Sequence, residues 1–269
     1  MNLKSNNQQT LDALVAEAYQ AFGRYRAPVG TLNACTVCCM SADLALEMTR
    51  LPLASLGSRH FYDYNCAAKR EMEQPGEEIL YFLPRLLDLM AQGEEVHHSL
   101  ELSLDRLGAC PPGTLDEGQS MVLNRFMLAY FENAVGPDRW GPEGRRLGED
   151  PFAVLAMVHT AGLDIQPLLD WWLLTEDPRA TVAFVQDCYW HEWGEADELN
   201  VFMKDRPEFT IQLRAWLRDP AHRSCWVDKL LRPDFLSLVE YQPSSPRVSF
   251  ALMVEAAFDA LTPPCAVAV

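Results

Sequence analysis

No run in this sequence approaches the ~18–20 uninterrupted apolar residues that a membrane-spanning helix requires. The opening residues Met1-Asn2-Leu3-Lys4-Ser5-Asn6-Asn7-Gln8-Gln9 lack the apolar stretch of a secretory signal, so the expected location is cytoplasmic. There is no G-x-S-x-G elbow, no G-x-x-x-x-G-K-[ST] loop and no G-x-G-x-x-G turn, which removes the commonest linear signatures of hydrolases, NTPases and dinucleotide-binding proteins. No catalytic residue and no cofactor are therefore assigned, and an enzyme would have to assemble its groups from distant helices without a linear trace. Positive charge is also short. The chain has 22 Lys plus Arg against 38 Asp plus Glu, a formal charge of −16, which disfavours nucleic acid or an anionic membrane as a partner and favours a basic protein.

What is present is helical periodicity, while alternating strand patterns are rare. Leu11, Leu14, Val15, Ala18, Tyr19 and Phe22 recur at three- and four-residue steps and predict an amphipathic helix over 9–26. Ser41 and Asp43 predict the cap of a second helix that Pro52 stops, and a further helix is expected over 55–70. Ile79, Leu80, Leu83, Leu86, Leu87 and Met90 form a stripe interrupted only by Pro84, and Val96, Leu100, Leu104 and Leu107 predict another helix over 94–107. A helix around 121–134 follows. Pro151, Pro167, Pro178, Pro207, Pro220 and Pro233 each sit where a helix would start, because proline in the first turn costs no intrahelical hydrogen bond. A last helix is expected over 248–261, after a linker from Pro243 to Pro246. The expected architecture is all-α, a multi-helix array of stacked antiparallel helical hairpins. Residues 136–149 are rich in Gly, Pro and Arg and divide an N-terminal helical subdomain, 1–135, from a C-terminal one, 150–269.

The eight cysteines, Cys35, Cys38, Cys39, Cys66, Cys110, Cys188, Cys225 and Cys265, are scattered through a chain able to build its own core, which fits reduced thiols packed as small apolar groups. The competing reading is a zinc site on the C-x-x-C spacing of Cys35 and Cys38, completed by Cys39, Cys66 or His60; the usual second ligand pair is missing. A redox thiol is the third reading. Glu94-Glu95-Val96-His97-His98 contains two overlapping Glu-x-x-His pairs, but a di-iron bundle needs two such loci, so the segment reads as a charged helix start. His191-Glu192-Trp193-Gly194-Glu195 lacks the second histidine of a zinc-protease helix.

Charge is distributed unevenly. From Glu71 to Glu117 there are eleven acidic residues against Arg85 and Arg106, and from Glu149 to Glu198 eleven against Arg179. Acidic helix faces of this kind can steer a basic partner and imitate a row of phosphates, although solvated faces have the same composition. Trp171, Trp172, Tyr189, Trp190 and Trp193 lie in the second block; some belong to the core, and Trp190 and Trp193 are expected to be exposed as interface anchors. The candidate partner-binding residues are thus Glu94, Glu95, Trp190, Glu192, Trp193, Glu195, Asp197 and Glu198. Arg139, Arg145 and Arg146 form a small basic island in the loop.

Phe22-Gly23-Arg24-Tyr25-Arg26-Ala27-Pro28, Cys35-Thr36-Val37-Cys38-Cys39-Met40, Phe82-Leu83-Pro84-Arg85-Leu86-Leu87 and Leu104-Asp105-Arg106-Leu107-Gly108 together resemble an uncharacterised family of bacterial helical proteins. That resemblance implies an accessory protein and brings no activity. In character the chain is similar to immunity proteins of secreted antibacterial toxins, including nuclease toxins of type VI secretion. The expectation that follows is an antitoxin-like protein that blocks a basic toxin through acidic helical surfaces. The alternatives are a helical scaffold or adaptor, a zinc-binding protein using Cys35 and Cys38, and an enzyme of unknown type.

Overall fold

The computed structural model describes residues 6–136, 149–193, 200–240, 242 and 248–262. The described residues form thirteen α-helices with three single 3-10 turns and no strand. In chain order the helices are α1 (Asn6–Ala21), α2 (Ala42–Arg50), α3 (Ser58–Cys66), α4 (Gly76–Ala91), α5 (Asp105–Gly108), α6 (Glu117–Val135), α7 (Pro151–Thr160), α8 (Gln166–Leu174), α9 (Pro178–His191), α10 (Pro207–Arg218), α11 (Pro220–Leu230), α12 (Pro233–Val239) and α13 (Phe250–Leu261). The all-α expectation holds, and no described helix is long and apolar enough to cross a membrane.

Local chemistry sets the helix starts. Ser41, Asp177, Asp219 and Ser249 accept hydrogen bonds from the first-turn amides of α2, α9, α11 and α13. Pro178, Pro207, Pro220 and Pro233 each occupy the first position of a helix, where the missing N–H costs nothing. The expected helix over 94–107 does not form. Glu94 to Ser99 run as irregular chain, followed by a 3-10 turn at Leu100–Leu102 and the single turn of α5. Apolar spacing alone misleads here because Val96 and Leu104 are buried from a non-helical backbone, and Leu107 from the single turn of α5. The helix expected over 55–70 is likewise shorter, a 3-10 turn at Leu53–Ser55 and then α3.

The chain divides into two compact units, the first 1–130 with 157–164 and the second 131–156 with 165–269, so the boundaries fall within α6 and α7. The 136–149 loop, with Arg139, Arg145 and Arg146, lies almost wholly outside the described residues, as does the 243–246 linker.

In the first unit α1 packs on α4 and α2 on α3. Leu11, Leu14, Ala18 and Phe22 of the α1 region are buried with Phe61, Tyr64, Phe82, Leu83 and Leu87. A polar knot lies inside this apolar shell. Arg106 is 2% exposed and donates to the backbone carbonyls of Asn33, Tyr64 and Ala67 and to Gln74 Oε1. Glu78 accepts from the Asn33 amide, the Tyr64 hydroxyl at 2.6 Å and Gln74 Nε2. Every arm of the knot is satisfied, which is the condition for tolerating charge in a low-dielectric interior.

The second unit is built on aromatic rings. Trp172 is fully buried, meets Phe131, Phe152, Phe184, Trp216 and Trp226, and donates from Nε1 to the Ala180 carbonyl at 3.0 Å. Phe184 stacks flat on Trp226 at 3.7 Å. α9 packs against α11, α12 and α13, and α10 against α11, so chain-distant helices meet as well as neighbours.

Candidate metal centre

Among the described residues, two clusters of metal-ligating side chains lie in the first unit, one on the loop before α2 and one between the end of α3 and the segment after α4. The first follows from the loop's backbone. The Cys35 amide donates to the Ala68 carbonyl at 2.8 Å and the Met40 amide closes back on the Cys35 carbonyl at 3.0 Å. Within that closed turn Cys35 Sγ lies 3.6 Å from Cys38 Sγ, which lies 3.5 Å from Cys39 Sγ. Cys38 and Cys39 are exposed and Cys35 half-buried, so these thiols do not pack around the second helix as small apolar groups. The backbone N–H groups of Cys38 and Val37 aim at the Cys35 sulfur and hold its pKa down to about 7. Cys38, which shares hydrogen bonds with Cys39 and Cys35, is pushed up to about 11. One thiolate is thus favoured within a set of three.

A tetrahedral zinc with ~2.3 Å bonds to sulfur places its sulfurs about 3.8 Å apart. The two close Sγ separations here, 3.6 and 3.5 Å, are near that edge. The amides that stabilise the Cys35 thiolate also serve as the outer hydrogen bonds that such a site requires. The donor set fits a thiophilic ion with three protein ligands and one open position.

Cys66 and His60, the other ligands considered for this loop, go elsewhere. His60 Nδ1 accepts from the Gly57 amide at 3.0 Å and its Nε2 meets Glu47 at 3.0 Å, so the imidazole caps α3. Cys66 lies with His97 and His98, all three offering ligand atoms within 4.8 Å of one another. Linear spacing does not show this grouping, because two Glu-x-x-His pairs point to a helix, whereas the irregular chain from Glu94 to Ser99 brings both imidazoles toward the end of α3. His97 is buried, and desolvation with the neighbouring His98 lowers its pKa to about 4, so it is neutral at physiological pH.

The remaining thiols behave as packed groups. Cys188 is buried, burial pushes Cys110 up to about 11, and Cys225 donates to the Leu173 carbonyl. Cys265 lies outside the described residues.

The residues proposed for partner binding have separate fates. Glu94 and Glu95 are exposed, on irregular chain instead of a helix face. Trp190 is 50% exposed and stands edge-on to Tyr189. Glu192 is turned inward, its side chain 11% exposed, and is held by Arg214 at 2.9 Å and Arg218 at 3.4 Å. Its charge is met within the chain by these two arginines. Trp193 meets Phe184 edge-on at 5.9 Å and is half-buried, so it serves the aromatic core in part. Glu195, Asp197 and Glu198 lie outside the described residues.

Comparisons with known protein families, curated proteins and solved structures find no match to this chain.

Proposed function

We propose that this protein binds zinc through the Cys35–Cys38–Cys39 loop, at a solvent-facing site of three thiolates whose fourth position takes an exchangeable ligand. The observation that carries the reading is the mutual approach of three sulfurs, two pairs of them at 3.6 and 3.5 Å, on a loop whose amides already favour a thiolate. A closed structural zinc needs four protein ligands, whereas three with an open place suit an ion that exchanges ligands or anchors another molecule. Among the described residues, no further His, Cys, Asp or Glu joins this cluster.

Zinc titration of the reduced full chain against a competing chelator tests this. The wild-type chain takes up one equivalent more than Cys35→Ser/Cys38→Ser/Cys39→Ser; equal uptake by the two proteins would refute the reading.

A second proposal keeps the acidic surface. The exposure of Glu94 and Glu95, in a chain of formal charge −16, supports docking of a basic protein, such as a toxin that an immunity protein blocks. Capture of basic proteins that weakens both at high salt and in Glu94→Gln/Glu95→Gln is the expected outcome. Capture indifferent to either change removes this proposal.

A further inference from the structure

We infer that Cys66, His97 and His98 form a second metal site, separate from the Cys35 loop, that takes zinc or another borderline divalent ion on one thiolate and two imidazoles. Cys66 Sγ lies 3.3 Å from His98 Nδ1, against the about 3.6 Å that separates sulfur and nitrogen on a tetrahedral zinc. The two imidazole rings are 4.1 Å apart between centres and 32° from parallel, so both ring edges can face one point.

The surroundings supply what a ligand set needs beyond its donors. His97 Nδ1 faces both the carbonyl and the amide of Ser99 at 3.0 Å. With the proton on Nδ1 the ring donates to the Ser99 carbonyl and Nε2 has a free lone pair; with Nδ1 accepting from the Ser99 amide, Nε2 holds the proton, and metal binding selects the first tautomer. Asn65 Nδ2 donates to the Val96 carbonyl at 3.0 Å, tying the residue before Cys66 to the residue before His97. The side chains are therefore brought together by fixed backbone. Burial raises the pKa of the Cys66 thiol and the Asp63 and Glu95 carboxylates add to the rise, while the His98 backbone and Arg106 oppose it, so a bound cation has to displace the thiol proton. His97 is buried and His98 exposed, so the cluster opens to solvent on the His98 side. Mixed sulfur and nitrogen ligation with one place left for water is the composition of sites where zinc polarises a bound molecule.

The site is independent of the zinc-loop reading, and the test keeps them apart. Cobalt(II) is titrated into the full chain bearing Cys35→Ser/Cys38→Ser/Cys39→Ser, so that among the described residues only the second cluster can supply a thiolate beside imidazoles. One equivalent should bind, with the visible bands of tetrahedral cobalt and the near-ultraviolet charge transfer of a single thiolate. Cys66→Ser should abolish the charge transfer, and His98→Ala should weaken uptake at least tenfold with the far-ultraviolet dichroism unchanged. No cobalt bound in the loop-variant background would overturn the inference, as would uptake indifferent to both further substitutions. If the triple variant loses its helical signal, His98→Ala in the otherwise wild-type chain decides: the affinity for one of the two equivalents falls at least tenfold if the site exists, and neither affinity changes if it does not.

Discussion

The amide of Cys35 donates to the carbonyl of Ala68 at 2.8 Å, tying the first thiol of the loop to backbone two residues beyond Cys66. This one bond links the segments that carry the two ligand clusters. The polar knot stands behind it, since Arg106 holds the carbonyls of Asn33 and Ala67, residues that flank the two cysteines in sequence. Placement of the ligands is thus a property of buried hydrogen bonds more than of the exposed loop itself.

Removing the centre of the knot should therefore damage both stability and the thiol loop. Arg106 stacks over the Tyr64 ring at 4.0 Å and satisfies three backbone carbonyls that have no water to turn to. Arg106→Met is expected to cost about 3–5 kcal/mol in urea denaturation, the range for breaking a buried charged network. It should also speed alkylation of Cys35, Cys38 and Cys39, read by mass spectrometry. A loss under 1 kcal/mol would show that the knot is not needed.

Gly108 ends α5 against the backbone of α7, and a Cβ there would lie 1.8 Å from the Thr160 carbonyl oxygen. Backbone cannot swing aside as a side chain can. Gly108→Ala should destabilise by about 3 kcal/mol through overpacking, measured by chemical denaturation. An unchanged midpoint would mean that this close approach does not exist in solution.

Lys229 gives the second unit a pH dependence. It is 6% exposed, donates to the carbonyls of Thr175 and Trp172, and its ammonium is 4.7 Å from the Trp226 ring centre. Desolvation lowers its pKa from 10.5 to about 8. Below pH 8 both folded and unfolded chains hold the proton, and stability has no slope from this group. Between pH 8 and 10.5 the unfolded chain binds more protons, so stability rises with pH. Relative to Lys229→Met, the wild-type chain should gain about 1–3 kcal/mol from pH 7.5 to pH 10 in reducing urea titrations. A flat or falling difference contradicts the lowered pKa.

Glu192 separates folding from docking. Because Arg214 and Arg218 already occupy its carboxylate, Glu192→Gln should cost about 1 kcal/mol of stability and leave capture of a basic partner unaltered. Weaker capture at unchanged stability would return Glu192 to the docking surface.

Helix starts from α7 onward are legible in the residues alone. Proline in the first turn and a Ser or Asp cap act through nearest-neighbour geometry and need no tertiary partner, as Asp177-Pro178 and Asp219-Pro220 illustrate. The C-x-x-C spacing of Cys35 and Cys38 is legible in the same way, but the closure of the loop on the Cys35 carbonyl is what turns their sulfurs to 3.6 Å. Packing of the folded units set the rest. It paired Cys66 with His97 and His98, 31 and 32 residues away, through irregular chain that apolar periodicity had presented as helix. It turned Glu192 inward onto Arg214 and Arg218, which no count of local charge contains. Contacts of that kind depend on which buried groups must find partners once water is excluded, and that is settled by the whole packed unit and not by any window of the chain.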